Sequence, residues 1–376
     1  MLPAGVEKAL SFLALAVFGR VALKSRFEKQ HVAGVQKLIM EGTLPCTIFK
    51  ALCAVQLDRS LLMWPLLGTL FVLAQLAVAA AASALSFDAK APERRTAALQ
   101  LGTAAPGLSA LVFVKEFVGE AYAGPAALFD LPSKLYLIFG LPVLLRKHAS
   151  GPAPPKPAAS IVALLKDPLN LSIVGGLLVA FFGADYASLG PLGKAATALA
   201  GAQTPMLFVL IGMKINLGGA TPAVCLALLA ARHAGSGLFF AMCRAALGLA
   251  GADALTLLLM VQAAVSVVGW GQMQRASAAG VPGYDLDLAF DIVGYSMPLT
   301  MALQTFTCLS DPDAAVARGA TVVPAAFLVA FALDRLYASS AAASSSPRPS
   351  RSSRRNSPAR TPRRSPRRRS TASYAE

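Results

Sequence analysis

The chain has 376 residues, of which 56% are apolar and only 14% charged. A soluble domain carries about 25% charged residues, so the composition argues against a water-soluble enzyme or a nucleic-acid-binding domain as the body of the chain. The formal net charge of +15 does not change this, because it is local: ten arginines lie between Arg348 and Arg369, and Glu376 is the only acid after Asp334.

Apolar runs near the length needed to cross about 30 Å of hydrocarbon predict membrane spans at 9–23, 32–56, 61–86, 95–117 and 121–145. A second series follows at 167–183, 195–215, 221–249, 253–275 and 285–308, with a weaker eleventh at 314–336. Lys8 precedes the first apolar stretch, as in a signal peptide, but no clear small-residue cleavage site follows, so a retained helix is expected. The fold class is therefore an all-α polytopic membrane protein.

Basic residues set the expected orientation. One set of loops carries Arg20, Lys24, Arg26 and Lys29, then Lys90, Arg94 and Arg95, then Arg146, Lys147, Lys156 and Lys166. The alternate set holds little beyond Lys8, Arg59 and Lys194. The positive-inside rule makes the first set cytoplasmic and puts the N-terminus on the other side. With an eleventh span the arginine-rich tail is cytoplasmic too. A plasma-membrane and an endoplasmic-reticulum address fit equally.

The segment 146–160, RKHASGPAPPKPAAS, reads as a linker. It separates a first five-helix repeat, 1–145, from a second, 161–308, and 309–337 holds the eleventh segment. Pro45 and Pro205 are 160 residues apart, and the pairs Phe129-Asp130 and Phe290-Asp291 are 161 apart. Five spans is an odd number, so the second repeat crosses the bilayer inverted relative to the first. Inverted repeats are a common architecture of secondary transporters, which bind substrate near the midplane between the repeats.

The crossover is expected in LGTAAPGLSALVF, 101–113, where Pro106 removes a backbone donor and Gly102 and Gly107 loosen the helix. A broken membrane helix exposes free N–H and C=O groups that lipid cannot satisfy. Its N-terminal half-helix end suits a carboxylate, and Thr103 and Ser109 add hydroxyls. A simple proline kink is the other reading. The partner stretch, MVQAAVSVVGWGQMQ, has Ser266 and no proline, but Gln262, Ser266, Gln272 and Gln274 make it unusually polar for a span. Lys50 is either a counter-ion for an anionic substrate or a lysine snorkelling to the interface. Asp130 and Asp291 are ion- or proton-coupling candidates, or alternatively helix caps at the membrane boundary.

His233 beside Arg232 reads as structural. The cysteines at 46, 53, 225, 243 and 308 lie in apolar segments without metal spacing, so no metal or cofactor is expected. Neither an HExxH, a P-loop nor a GxSxG motif occurs, so an enzyme is not expected.

From about Ser339 the composition is Ser, Arg, Pro and Ala, which predicts a disordered tail over 338–376. Ser346, Ser357, Thr361 and Ser365 each precede proline, making a protein kinase an expected partner. The arginines would draw the tail to anionic membrane lipid, and phosphates would weaken that. A solvated tail without regulation is the alternative.

The stretch ending in Leu44-Pro45, the LGTAAPG segment, KDPLNLSIVGGLLVAFFG and the run from Thr204-Pro205 to Ile211-Gly212-Met213 together resemble the auxin efflux carrier (PIN-like) membrane transport family, over about 9–308. The resemblance implies two inverted five-helix repeats with spans 4 and 9 crossing at broken points, a fold shared with bile acid–sodium symporters. It also implies elevator-like export of a small organic anion, auxin-like carboxylates among them, by a protein that is often a homodimer. Carried over by position, the substrate-binding candidates are Thr103, Pro106, Ser109, Gln262 and Ser266. Ser266 departs from the proline that the family has in the ninth-span crossover.

Overall fold

In a computed structural model, the residues described are 4–27, 29–53, 59–146, 168–183, 186–214, 222–278 and 280–344. The first half holds α1 (Ala4–Phe18), α2 (Lys29–Leu38), α3 (Leu44–Cys53), α4 (Met63–Ser86), α5 (Pro92–Leu101), α6 (Pro106–Ser109), α7 (Leu111–Phe113), α8 (Ala123–Leu135) and α9 (Leu141–Arg146). The second holds α10 (Pro168–Phe181), α11 (Gly190–Lys214), α12 (Pro222–Leu247), α13 (Gly251–Val261), α14 (Val267–Ala278) and α15 (Leu286–Leu309), followed by α16 (Pro312–Ala320) and α17 (Val322–Ser344). No strand occurs among the described residues.

Six helices are long and apolar enough to cross a membrane, at 63–86, 120–145, 190–213, 222–247, 286–309 and 312–332. They carry exposed large apolar side chains, among them Leu66, Leu73 and Met242, and at the end of α10 Phe181 and the following Phe182 are exposed at 72% and 75%. Such continuous apolar surface is unfavourable in water and matched by lipid. The chain is an all-α membrane protein.

The remaining expected spans have helical counterparts that are shorter or interrupted. π-helical turns at Gly19–Leu23, Ile39–Thr43 and Tyr136–Gly140 punctuate the first, second and fifth. Two of these flank prolines: Pro45 follows the second, and Pro132 precedes the third. The widened turn re-registers the hydrogen bonds where proline supplies no donor. The ninth span, 253–275, is divided at the polar stretch where the resemblance implied a break: residues 262–266 leave the helix and separate α13 from α14. The eleventh is also divided, at Thr321. Its helix then runs on to Ser344, past the point where the tail was expected to be disordered. The alanine-rich ASSAAAS has high helix propensity and prolongs a helix already nucleated. The linker 147–160 and the tail from 345, with its Ser-Pro and Thr-Pro sites, lie outside the described residues.

Residues 1–336 form one compact unit, so the two halves interlock instead of making separate domains. Within it α1 packs on α11 and α3 on α10, while α4 packs on both α8 and α12. These contacts are backbone-close at glycines. A Cβ on Gly19 would strike the Val209 carbonyl, one on Gly212 the Ala16 carbonyl, and one on Gly68 the Phe129 carbonyl. Small residues allow membrane helices to gain contact where no hydrophobic effect drives them together. Beside the α1–α11 contact, Phe12 stacks on Phe208 with centroids 4.2 Å apart, and Phe113 meets both rings edge-on. Gly212→Leu should therefore lower stability by about 1–3 kcal/mol through overpacking, read as a lower melting temperature of the detergent-purified protein, whereas Gly201→Leu, with nothing within 4 Å of its Cβ position, should leave it unchanged.

Candidate functional site

The first break follows the sequence closely. Helix α5 tapers as the Thr103 amide bonds the Gln100 carbonyl at 3.1 Å, and residues 103–105 are non-helical. Ala105, at φ −129° and ψ 60°, is held out of the helical region by the proline after it. Pro106 then opens α6 at the one position where its missing N–H costs nothing.

The second break achieves the same without proline. The Ala263 amide bonds Met260 at 3.3 Å, and 263–266 are non-helical. Ser266 precedes α14, and its hydroxyl accepts from the Val268 amide at 3.2 Å. That is an N-cap, which starts a helix as effectively as proline at the first position. A serine cap thus ends this break where a proline ends the first.

The two breaks are joined directly. The Ala105 amide donates to the Ala264 carbonyl at 2.9 Å. Going the other way, the Ala264 amide donates to the Ser109 hydroxyl at 3.0 Å and the Ser266 amide to the Thr103 hydroxyl at 3.2 Å. Ser296, on α15, accepts from the Val265 amide at 2.8 Å. The Gln100 side-chain amide donates to the Ser266 carbonyl at 2.9 Å. Thr103 and Ser109 also donate, to the Gln100 and Ala105 carbonyls, so each hydroxyl is used twice.

Arg232 completes the junction from α12. Its guanidinium donates to the carbonyls of Leu101 at 3.2 Å, Thr103 at 3.3 Å and Ala263 at 2.6 Å. The main-chain groups expected to be unpaired are therefore largely paired inside the protein. Thr103, Ser109 and Ser266 are buried with Pro106 and bond the opposite break or their own helix, not open space. Gln262 reaches the Thr307 hydroxyl at 3.2 Å. Polar capacity remains at the Gln100 Oε1, Thr300 Oγ1 and Gln304 Oε1 atoms, all buried without a hydrogen-bond partner.

Of the charged candidates, Asp130 alone is shown against a break residue. Lys50 pairs with Glu120 at 2.6 Å, near the start of the fifth span, and is not brought to the breaks. Asp130 is buried at mid-helix in α8, so it is no boundary cap; Lys134, one turn on, pairs with it at 2.7 Å. Its carboxylate lies against Gly107, where a Cβ would collide with it. Asp291 is partly buried on α15, five residues before Ser296. On the side where α5 begins, a cavity of about 540 Å³ is lined by Lys90, Arg94 and Arg95 among mostly small residues.

Sequence reasoning missed Arg232, Gln100, Lys134, Ser296 and Thr307. Arg232 and Lys134 carried a signal, as ionisable residues inside apolar runs, and Lys134 stands one turn from Asp130; Gln100, Ser296 and Thr307 are defined by partners distant in the chain.

Removing one junction acceptor should strand a buried amide. Ser296→Ala is expected to cost about 1–3 kcal/mol in thermal unfolding of the purified protein, while Ser310→Ala, half-buried with its hydroxyl bonded to its own helix, should stay within about 0.5 kcal/mol. No family model matches the chain, and no curated protein matches it.

Proposed function

We propose that the protein is a secondary transporter that moves a small organic anion by alternating access, with the joined breaks as its substrate-facing centre. The observation that carries this reading is the junction itself. Two interrupted helices, one from each half, meet break to break, an arrangement that membrane proteins tolerate only inside protein or beside a cavity.

The inverted-repeat organisation is part of the proposal. It is supported by reciprocal packing: the first helix of the first half lies on the second segment of the other, α1 on α11, and α3 lies on α10 in return. Gln75 of α4 bonds Ser236 of α12 at 2.8 Å, and these residues are 161 apart, the offset that also relates the two Phe-Asp pairs. Residues contacting their own repeat-mates are expected beside a two-fold axis.

Charge supports an anion. The cavity holding Lys90, Arg94 and Arg95 lies at the start of α5, and α5, ten residues long, covers roughly 15 Å from there to the break. A basic vestibule of this kind concentrates anions before they bind. On the orientation proposed from the basic loops, it opens to the cytoplasm, which fits export. Elevator-like motion, an auxin-like carboxylate as cargo and a dimeric state rest on the resemblance alone.

A sodium- or proton-coupled symporter is the nearest alternative, but Asp130 is already paired with Lys134. A membrane sensor without transport is favoured by the near-complete pairing of the junction, which leaves few groups for a solute.

Solid-supported-membrane currents from reconstituted vesicles, screened with aromatic and aliphatic carboxylates, test the carrier. Current is expected with at least one of them, and Lys90→Gln with Arg94→Gln should raise its apparent KM by about tenfold at low salt and less at high salt. Saturable binding with no current would refute the carrier and leave the sensor.

A further inference from the structure

Arg232 is 1% exposed on an unbroken helix, and no ion pair reaches it among the described residues. A buried guanidinium without a carboxylate is costly unless other groups compensate it. Here the compensation is main-chain. Leu101 is the last residue of α5, Thr103 lies just beyond it, and Ala263 lies two residues past the end of α13. Arg232 therefore faces the C-terminal ends of two half-helices of ten and eleven residues. Each such end carries about half a negative charge, and two of them balance one guanidinium.

Converging carbonyls at half-helix C-termini are also the arrangement by which discontinuous membrane helices hold a coupling cation. We infer that Arg232 is a built-in cation: its guanidinium fills a carbonyl cage that would otherwise take a mobile monovalent ion such as sodium. The fork geometry suits the task, because a planar guanidinium donates to several fixed acceptors at once, whereas an ammonium is a compact point charge. The cage contains no carboxylate side chain, so one positive charge is all that it requires. For the carrier proposed above, the consequence is transport that needs no sodium gradient; the cage itself does not depend on that proposal.

The test reads stability rather than flux. The full-length protein in detergent is melted in sodium chloride and in choline chloride at equal ionic strength. Wild type is expected to melt at the same temperature in both. Arg232→Met keeps an apolar stem and removes the charge; it should melt lower in choline and regain at least about 4 °C with saturable dependence on sodium. Arg232→Lys keeps the charge and should melt below wild type with no response to sodium. A wild type that sodium stabilises overturns the inference, and so does an Arg232→Met protein that melts alike in the two salts. If Arg232→Met cannot be recovered folded, the lysine variant decides: the same melting temperature in both salts supports the built-in cation, and a sodium-dependent rise refutes it. Absence of anion current in every salt would refute the carrier without touching this result, and a sodium-stabilised wild type would refute the cage without touching the carrier.

Discussion

Everything about this molecule turns on the rule that main-chain polar groups buried away from water need partners. Breaking two membrane helices violates the rule at four places, two C-terminal and two N-terminal stumps, and each unpaired group costs several kcal/mol in hydrocarbon. The chain answers with a division of labour. Hydroxyls from Thr103, Ser109 and Ser296 take the amides of the second break, while Arg232 takes carbonyls of both. Neither set could be replaced by the other, because an arginine only donates and the amides need acceptors.

This pairing also explains why polar residues are spent where they are. Gln75 and Ser236 join α4 to α12, and Gln304 reaches the Leu259 carbonyl on the last turns of α13. Asp130 and Lys134 neutralise each other beside Gly107, where a larger residue would displace the carboxylate. Elsewhere glycine-mediated approach and aromatic packing act beside a few polar contacts, such as Lys50 with Glu120 and the Tyr284 hydroxyl with the Leu145 carbonyl.

Much of the architecture was legible in the sequence because hydropathy and proline act locally. Pro106 with Gly102 marked the first break, and Gln262 with Ser266 marked a polar anomaly at the second, although only the geometry reveals Ser266 as a cap. The use of Thr103 and Ser109 was not legible. Their types suggested ligands for a solute, yet their acceptors and donors are the amides and carbonyls of residues up to 163 positions away. Lys50 was misleading for the same reason, since its partner Glu120 lies in another helix. Arg232 stood in plain view inside LALLAARHAGSG, but nothing local distinguishes a stray charge from one that meets three carbonyls. The end of α17 at Ser344 escaped a compositional reading because alanine both lacks a burying side chain and favours helix.

The site of attachment of Arg232 has a mechanical corollary. Its side chain springs from a continuous rod, while its three acceptors belong to two interrupted ones, so it works as a keystone spanning both gaps. Neither interrupted rod can swivel about its gap without shearing a contact to the same guanidinium. Rearrangement at this seam is consequently all-or-none: the three contacts hold or break together.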